Sequence, residues 1–178
     1  MSFSRRTVVF GSLALGLAAC AGADPTASVL DDVSRNAIKV TGANVIVTRM
    51  GDTTTGRVVA SDRVQELLES YARQNLVGQG TGTRNVNALI DIESVNVING
   101  AQSILIGGES VMAGSLSLVD ARSGQVVMPP RNLKSGGGGW VLGGPLAVAV
   151  RDEADTEVAQ MSQRFVERSK ILIFGKEE

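Results

Sequence analysis

The sequence predicts an α+β fold, a mostly antiparallel sheet with two helices packed on one face. Two periods carry this reading. Val86, Ala88, Ile90 and Ile92 alternate with Asn87, Leu89, Asp91 and Glu93, and Leu116 and Leu118 alternate with Ser115 and Ser117. A two-residue period belongs to strands with one buried side. By contrast, Val64, Leu67, Leu68 and Tyr71 fall at i, i+3, i+4 and i+7, a helical stripe. The order strand, helix, strand, hairpin, glycine-rich loop, long helix then suits one layer of helices on one sheet.

Taken in order, Asn36 to Thr48 is rich in β-branched residues and reads as the first strand, with Gly42 marking a bulge or bend. Met50 to Thr55 reads as a loop. The first helix runs from about Asp62 to Leu76, capped by Ser61 or Asp62, with Glu69 and Arg73 spaced for an ion pair. Gly78-Gln79-Gly80-Thr81-Gly82 ends it. Alternating glycines can cradle an anion, but no helix start follows here, which argues against phosphate binding.

Val86 to Ile98 is the next strand, Asn99-Gly100 a turn, and Ser103 to Ile106 a short strand or loop edge. Val111 to Asp120 is a further strand. Asp120-Ala121-Arg122-Ser123-Gly124-Gln125 turns it into a return strand, with Asp120 and Arg122 available to fix the turn and Pro129-Pro130 stopping the pairing. Asn132 to Gly144 holds Gly136-Gly137-Gly138-Gly139-Trp140 and reads as a flexible loop with one anchoring Trp. It lacks the Lys-Ser/Thr that a phosphate loop places after its last glycine. Pro145 suits the first turn of a second helix. Leu146, Val150, Ala154, Val158, Met161 and Phe165 form its stripe, which reaches about Lys170, and Ile171 to Phe174 closes the domain as a buried strand or helix end.

The N-terminal stretch has another character. Arg5 and Arg6 precede an apolar run from Val8 to Ala19, too short for the roughly 20 residues of a membrane-spanning helix. This is the three-part layout of a secretory signal. Leu17-Ala18-Ala19-Cys20 resembles the lipobox of bacterial lipoproteins, which implies that Cys20 becomes the mature N-terminus and carries acyl chains such as palmitate. Ala21 follows, where aspartate marks inner-membrane retention in many Gram-negative lipoproteins; the resemblance therefore implies the outer membrane, facing the periplasm. Ser4-Arg5-Arg6-Thr7-Val8-Val9-Phe10 also resembles a twin-arginine export signal without its usual Phe-Leu-Lys, so both export routes stay open. The expected division is a signal peptide over 1–19, a lipidated Cys20 and small polar tether over 20–34, and one domain over 35–178.

Composition narrows the chemistry. Removing residues 1–19 takes Arg5 and Arg6 but no acid from the 17 basic and 18 acidic residues, leaving a formal charge of −3. The basic residues are scattered singly, which is no nucleic-acid footprint. Histidine is absent, and with it the commonest metal ligand and general base. Cys20 is the only cysteine, so no disulfide closes within one chain. No cofactor or metal is expected.

Leu116-Ser117-Leu118-Val119-Asp120-Ala121-Arg122-Ser123-Gly124-Gln125-Val126-Val127 resembles a hairpin recurring in uncharacterised Gram-negative lipoproteins. The layout is distantly similar to the curli-secretion lipoprotein domain. The resemblance implies no catalytic residues. The leading expectation is a non-enzymatic, lipid-anchored periplasmic domain that binds or scaffolds unknown envelope proteins. The alternative is a subunit of an oligomeric secretion or assembly complex, a homo-oligomer with Gly136, Gly137, Gly138, Gly139 and Trp140 at the contact. A third reading, a carboxylate hydrolase, rests on Asp91 and Glu93, whose plainer role is the wet side of a sheet.

Overall fold

Among the described residues there are four strands, β1 (Ile38–Val47), β2 (Arg84–Asn96), β3 (Val111–Asp120) and β4 (Val126–Gly136), the inner ones built on apolar residues at alternate positions. In the computed structural model, which describes residues 28–50, 59–98, 110–136 and 154–176, they lie side by side in that order. The helices are α1 (Asp32–Ala37), α2 (Ser61–Asn75) and α3 (Ala154–Phe174). The α+β class holds, and two of the three strand pairs are antiparallel, so the sheet is mostly but not wholly so. The sheet is mixed, because β1 and β2 pair in parallel while β2–β3 and β3–β4 are antiparallel. A strand–helix–strand crossover returns its second strand parallel to the first, and β1–α2–β2 is such a unit. There are also three helices among the described residues rather than two.

The extra helix lies where a tether was expected to continue to Ser34. Asp31 caps α1 by accepting from the Ser34 amide at 2.8 Å, and the chain is docked from Ser28 onward. Ser28 Oγ donates to Ile173 O at 2.6 Å, and the Val29 amide donates to Leu172 O at 3.0 Å.

The apolar stripes meet on one face of the sheet. Val64, Leu68 and Ala72 of α2 and Val158, Met161, Phe165, Val166 and Ile173 of α3 pack on Ile38, Val40, Val86, Ala88, Ile90, Ile92, Met112, Leu116, Leu118 and Met128. Leu67 and Tyr71 are only partly buried at its rim. Ala60, not Ser61 or Asp62, is the N-cap of α2, and it offers no side-chain bond. Glu69 accepts from Gln65 Nε2 at 2.9 Å.

Gly42 follows the register shift at Thr41, as its sequence position suggests. A second shift at Glu93 reverses the burial parity of β2, so Val95 is buried after Ile92. Pro129-Pro130 does not stop β4. Leu118 pairs with Met128 and Leu116 with Arg131, so the two prolines bulge out opposite Ser117. Proline has no N–H for the ladder, and a bulge on an edge strand is where it is tolerated. Asn132 to Gly136, expected in the glycine loop, is therefore the second half of β4. The expected turn at Asn99-Gly100, the segment Ser103–Ile106 and the helix start near Pro145 with Leu146 and Val150 lie outside the described residues. Ile171 to Phe174 is the last turn of α3.

Candidate functional site

The register sorts the molecule into two ends. At one, Ile38 lies beside Arg84, Val86 beside Asp120, and Val119 beside Val126. The last turn of α3 reaches the same end, where Arg35 Nη1 donates to Phe174 O at 3.3 Å. At the other end, Val47 lies beside Ile92, Asn96 beside Val111 and Val111 beside Gly136. The described residues that flank 51–58, 99–109 and 137–153 lie towards that second end.

At the first end, Asp120 organises the β3–β4 hairpin. Its Oδ1 accepts from the amides of Arg122 (3.1 Å) and Ser123 (2.9 Å) and from Ser123 Oγ (3.0 Å), while Gly124 supplies the positive φ of 71° that the turn needs. Oδ2 accepts from Arg84 Nε at 2.9 Å. The Ser123 amide, then the Arg84 guanidinium, hold the Asp120 carboxyl well below the usual carboxylate range. Asp120 thus fixes the turn as its position suggests. Its ionic partner is Arg84 from another strand, whereas Arg122 contributes its amide and leaves its guanidinium in solvent. Between them is an open cleft of about 430 Å³ lined by Thr83, Arg84, Asn85, Asp120, Ala121 and Arg122.

The Gly78–Gly82 loop beside it is spent on structure. The Gly78 and Gly82 amides donate to Val40 O (2.8 Å) and Ile38 O (3.1 Å), and Val40 N donates to Gln79 O (2.9 Å). A Cβ at Gly82 would stand 2.0 Å from the Ala37 carbonyl carbon, so the glycine permits a backbone crossing.

Towards the second end, α3 carries a buried polar seam. Ser110 Oγ donates to Glu157 and accepts from the Ile98 amide (3.2 Å), tying the ends of β2 and β3 to the first turns of α3. Ser135 Oγ donates to Met161 O (2.8 Å) and Ser169 Oγ to Phe165 O (2.9 Å). Ser162 Oγ is fully buried with no hydrogen-bond partner among the described residues.

Of the sequence candidates, Cys20, Gly137, Gly138, Gly139 and Trp140 lie outside the described residues. Gly136 ends β4, and its carbonyl accepts from Arg164 Nη1 at 3.0 Å. Asp91 accepts from Thr48 Oγ1 at 2.6 Å, while Glu93 falls in the register shift and is exposed. The two carboxylates share no partner, and no group of His, Cys, Asp or Glu suited to a metal ion exists among the described residues. No described helix is long and apolar enough to cross a membrane.

No family model and no curated protein matches the chain. Solved structures with a loose likeness include a PelC dodecamer from Paraburkholderia phytofirmans, 11% identical over 80% of this chain and 91% of that one, with a TM-score of 0.40. A protein of the DUF330 family from Xanthomonas campestris is 10% identical over 79% and 89%, also with a TM-score of 0.40. A candidate lipoprotein from Caulobacter crescentus is 14% identical over 78% and 90%, with a TM-score of 0.37. Likenesses this loose assign no function.

Proposed function

We propose that the chain is a lipid-anchored periplasmic protein of the cell envelope, attached through acylated Cys20 to the outer membrane and binding or scaffolding other envelope proteins without catalysis. The observation that carries this is Leu17-Ala18-Ala19-Cys20 at the end of a short apolar run that follows Arg5 and Arg6. Acyl chains supply the attachment, each buried CH₂ contributing about 0.8 kcal/mol, with more than one chain needed for a stable hold. The absence of histidine supports a binding rather than a catalytic role. Palmitate labelling with fractionation tests the anchor. The wild type takes up label and sediments with outer membranes, and Cys20→Ser does neither; a labelled or membrane-bound Cys20→Ser protein overturns it.

A second reading, a subunit of an oligomeric secretion or assembly complex, is favoured by the position of Gly136. It ends an edge strand at the end of the sheet opposite to where the chain enters the fold. Light scattering on the detergent-solubilised full chain separates the two readings. A discrete ring that dissolves when residues 136–139 are deleted supports the subunit, and a monomer supports the scaffold.

A further inference from the structure

We infer that the cleft between Arg84 and Arg122 is a binding site for the phosphate of an anionic lipid headgroup, holding the hairpin end of the domain against the bilayer. The inference rests on the anchor reading at Cys20. Only residues 21–27 separate Cys20 from Ser28, the first docked residue, and such a segment spans at most about 25 Å. Ser28 is bonded to the last turn of α3, at the same end of the molecule as the hairpin and the cleft. The strands extend away from that end by up to 13 residues, about 43 Å for β2. An anchored chain therefore keeps the cleft within reach of headgroups.

The chemistry of the cleft suits a phosphate. Among the described residues Asp120 is its only acid, and that carboxylate is already occupied by the turn amides and Arg84 Nε. The Arg122 guanidinium has no side-chain partner among the described residues, and Thr83 and Asn85 are exposed. Arg84 keeps its two terminal nitrogens for a second ligand oxygen while Nε stays on Asp120. Two arginines thus face one acid in the cleft. Each such cation near an anionic surface is favourable, and tethering raises the local concentration of lipid that it meets.

The test uses full-chain acylated protein in phosphatidylglycerol vesicles that carry a headgroup nitroxide. A single fluorophore is placed through Gln125→Cys at the hairpin or Ser61→Cys at the far end; Cys20 is consumed by acylation. The expected result is strong quenching at 125 and little at 61, with about a fivefold loss of the docked population in Arg122→Gln. Arg122→Gln leaves the Arg84–Asp120 contact intact, so this loss is not a folding effect. Equal quenching at both positions overturns the inference, as does quenching at 125 that is indifferent to Arg122→Gln or persists unchanged in phosphatidylcholine. Inorganic phosphate that shifts the Thr83 and Arg122 resonances, with no dependence of quenching on lipid charge, reassigns the cleft to free phosphate and overturns the lipid assignment. Flotation is read in parallel. Wild-type protein that does not float with vesicles sinks the anchor reading and the inference together, whereas flotation without end-selective quenching sinks the inference alone.

Discussion

Asp120 shows how much a single carboxylate organises. It closes a turn through three donors and joins that turn to β2 through Arg84, a residue distant in sequence. Because its folded pKa lies below the unfolded value of about 3.9, its stabilisation is fully present above the unfolded value and is lost as pH falls from there through the lower folded one. Urea midpoints measured from pH 7 to pH 2 are expected to fall in the acid range for the wild type. The fall is shallower in Asp120→Asn, which starts from a lower midpoint at neutral pH. Ser162 is the opposite case, a buried hydroxyl whose desolvation no described partner offsets. Ser162→Ala is therefore expected to raise stability by about 1 kcal/mol, measured by denaturant melts. Phe165, fully buried between α3 and the sheet, is expected to lose about 3–5 kcal/mol on truncation to Ala.

Edge strands and close crossings decide matters at the scale of elements. β4 exposes carbonyls along its free side, and α3 answers them: Arg168 donates to Lys134 O and Arg164 to Gly136 O. Bonds of this kind narrow the stretch of edge left open to unspecific pairing with another chain. The double variant Arg164→Ala/Arg168→Ala is expected to scatter light earlier during heating than the wild type, at a cost of about 1 kcal/mol per bond lost. Gly114 is a tighter constraint. A Cβ there would lie 2.2 Å from the Asp91 carbonyl oxygen, so Gly114→Ala forces β2 and β3 apart in the middle of the sheet. Amide exchange in β2 and β3 is expected to rise selectively in that variant. The prolines of β4 teach a related lesson. Read alone, Pro129-Pro130 ends a strand; on an edge, opposite a bulge, the strand continues past them to Gly136.

For the whole molecule, the main consequence of the topology is polarity. The described chain begins at the end that holds the hairpin, the Gly78–Gly82 crossing and the last turn of α3, while the residues flanking 51–58, 99–109 and 137–153 lie towards the other. Under the proposed anchoring, the first end meets lipid and the second is presented to partners. Alternation and helical stripes made β2, β3, α2 and the inner face of α3 legible from sequence, since period alone determines which side chains can share a face, and β-branched composition marked β1. The lipobox resemblance at Cys20 and the hairpin at Asp120 are local in the same sense, being carried by neighbouring residues. Tertiary structure alone decided what depends on residues far apart along the chain. Parallel pairing of β1 with β2 follows from where α2 returns the chain, and α1 persists because it docks on the end of α3. The pairing of Arg84 with Asp120, and the cleft it creates, required a register between strands that hydrophobic pattern does not specify. Local periodicity orients side chains; only the packed sheet chooses their neighbours.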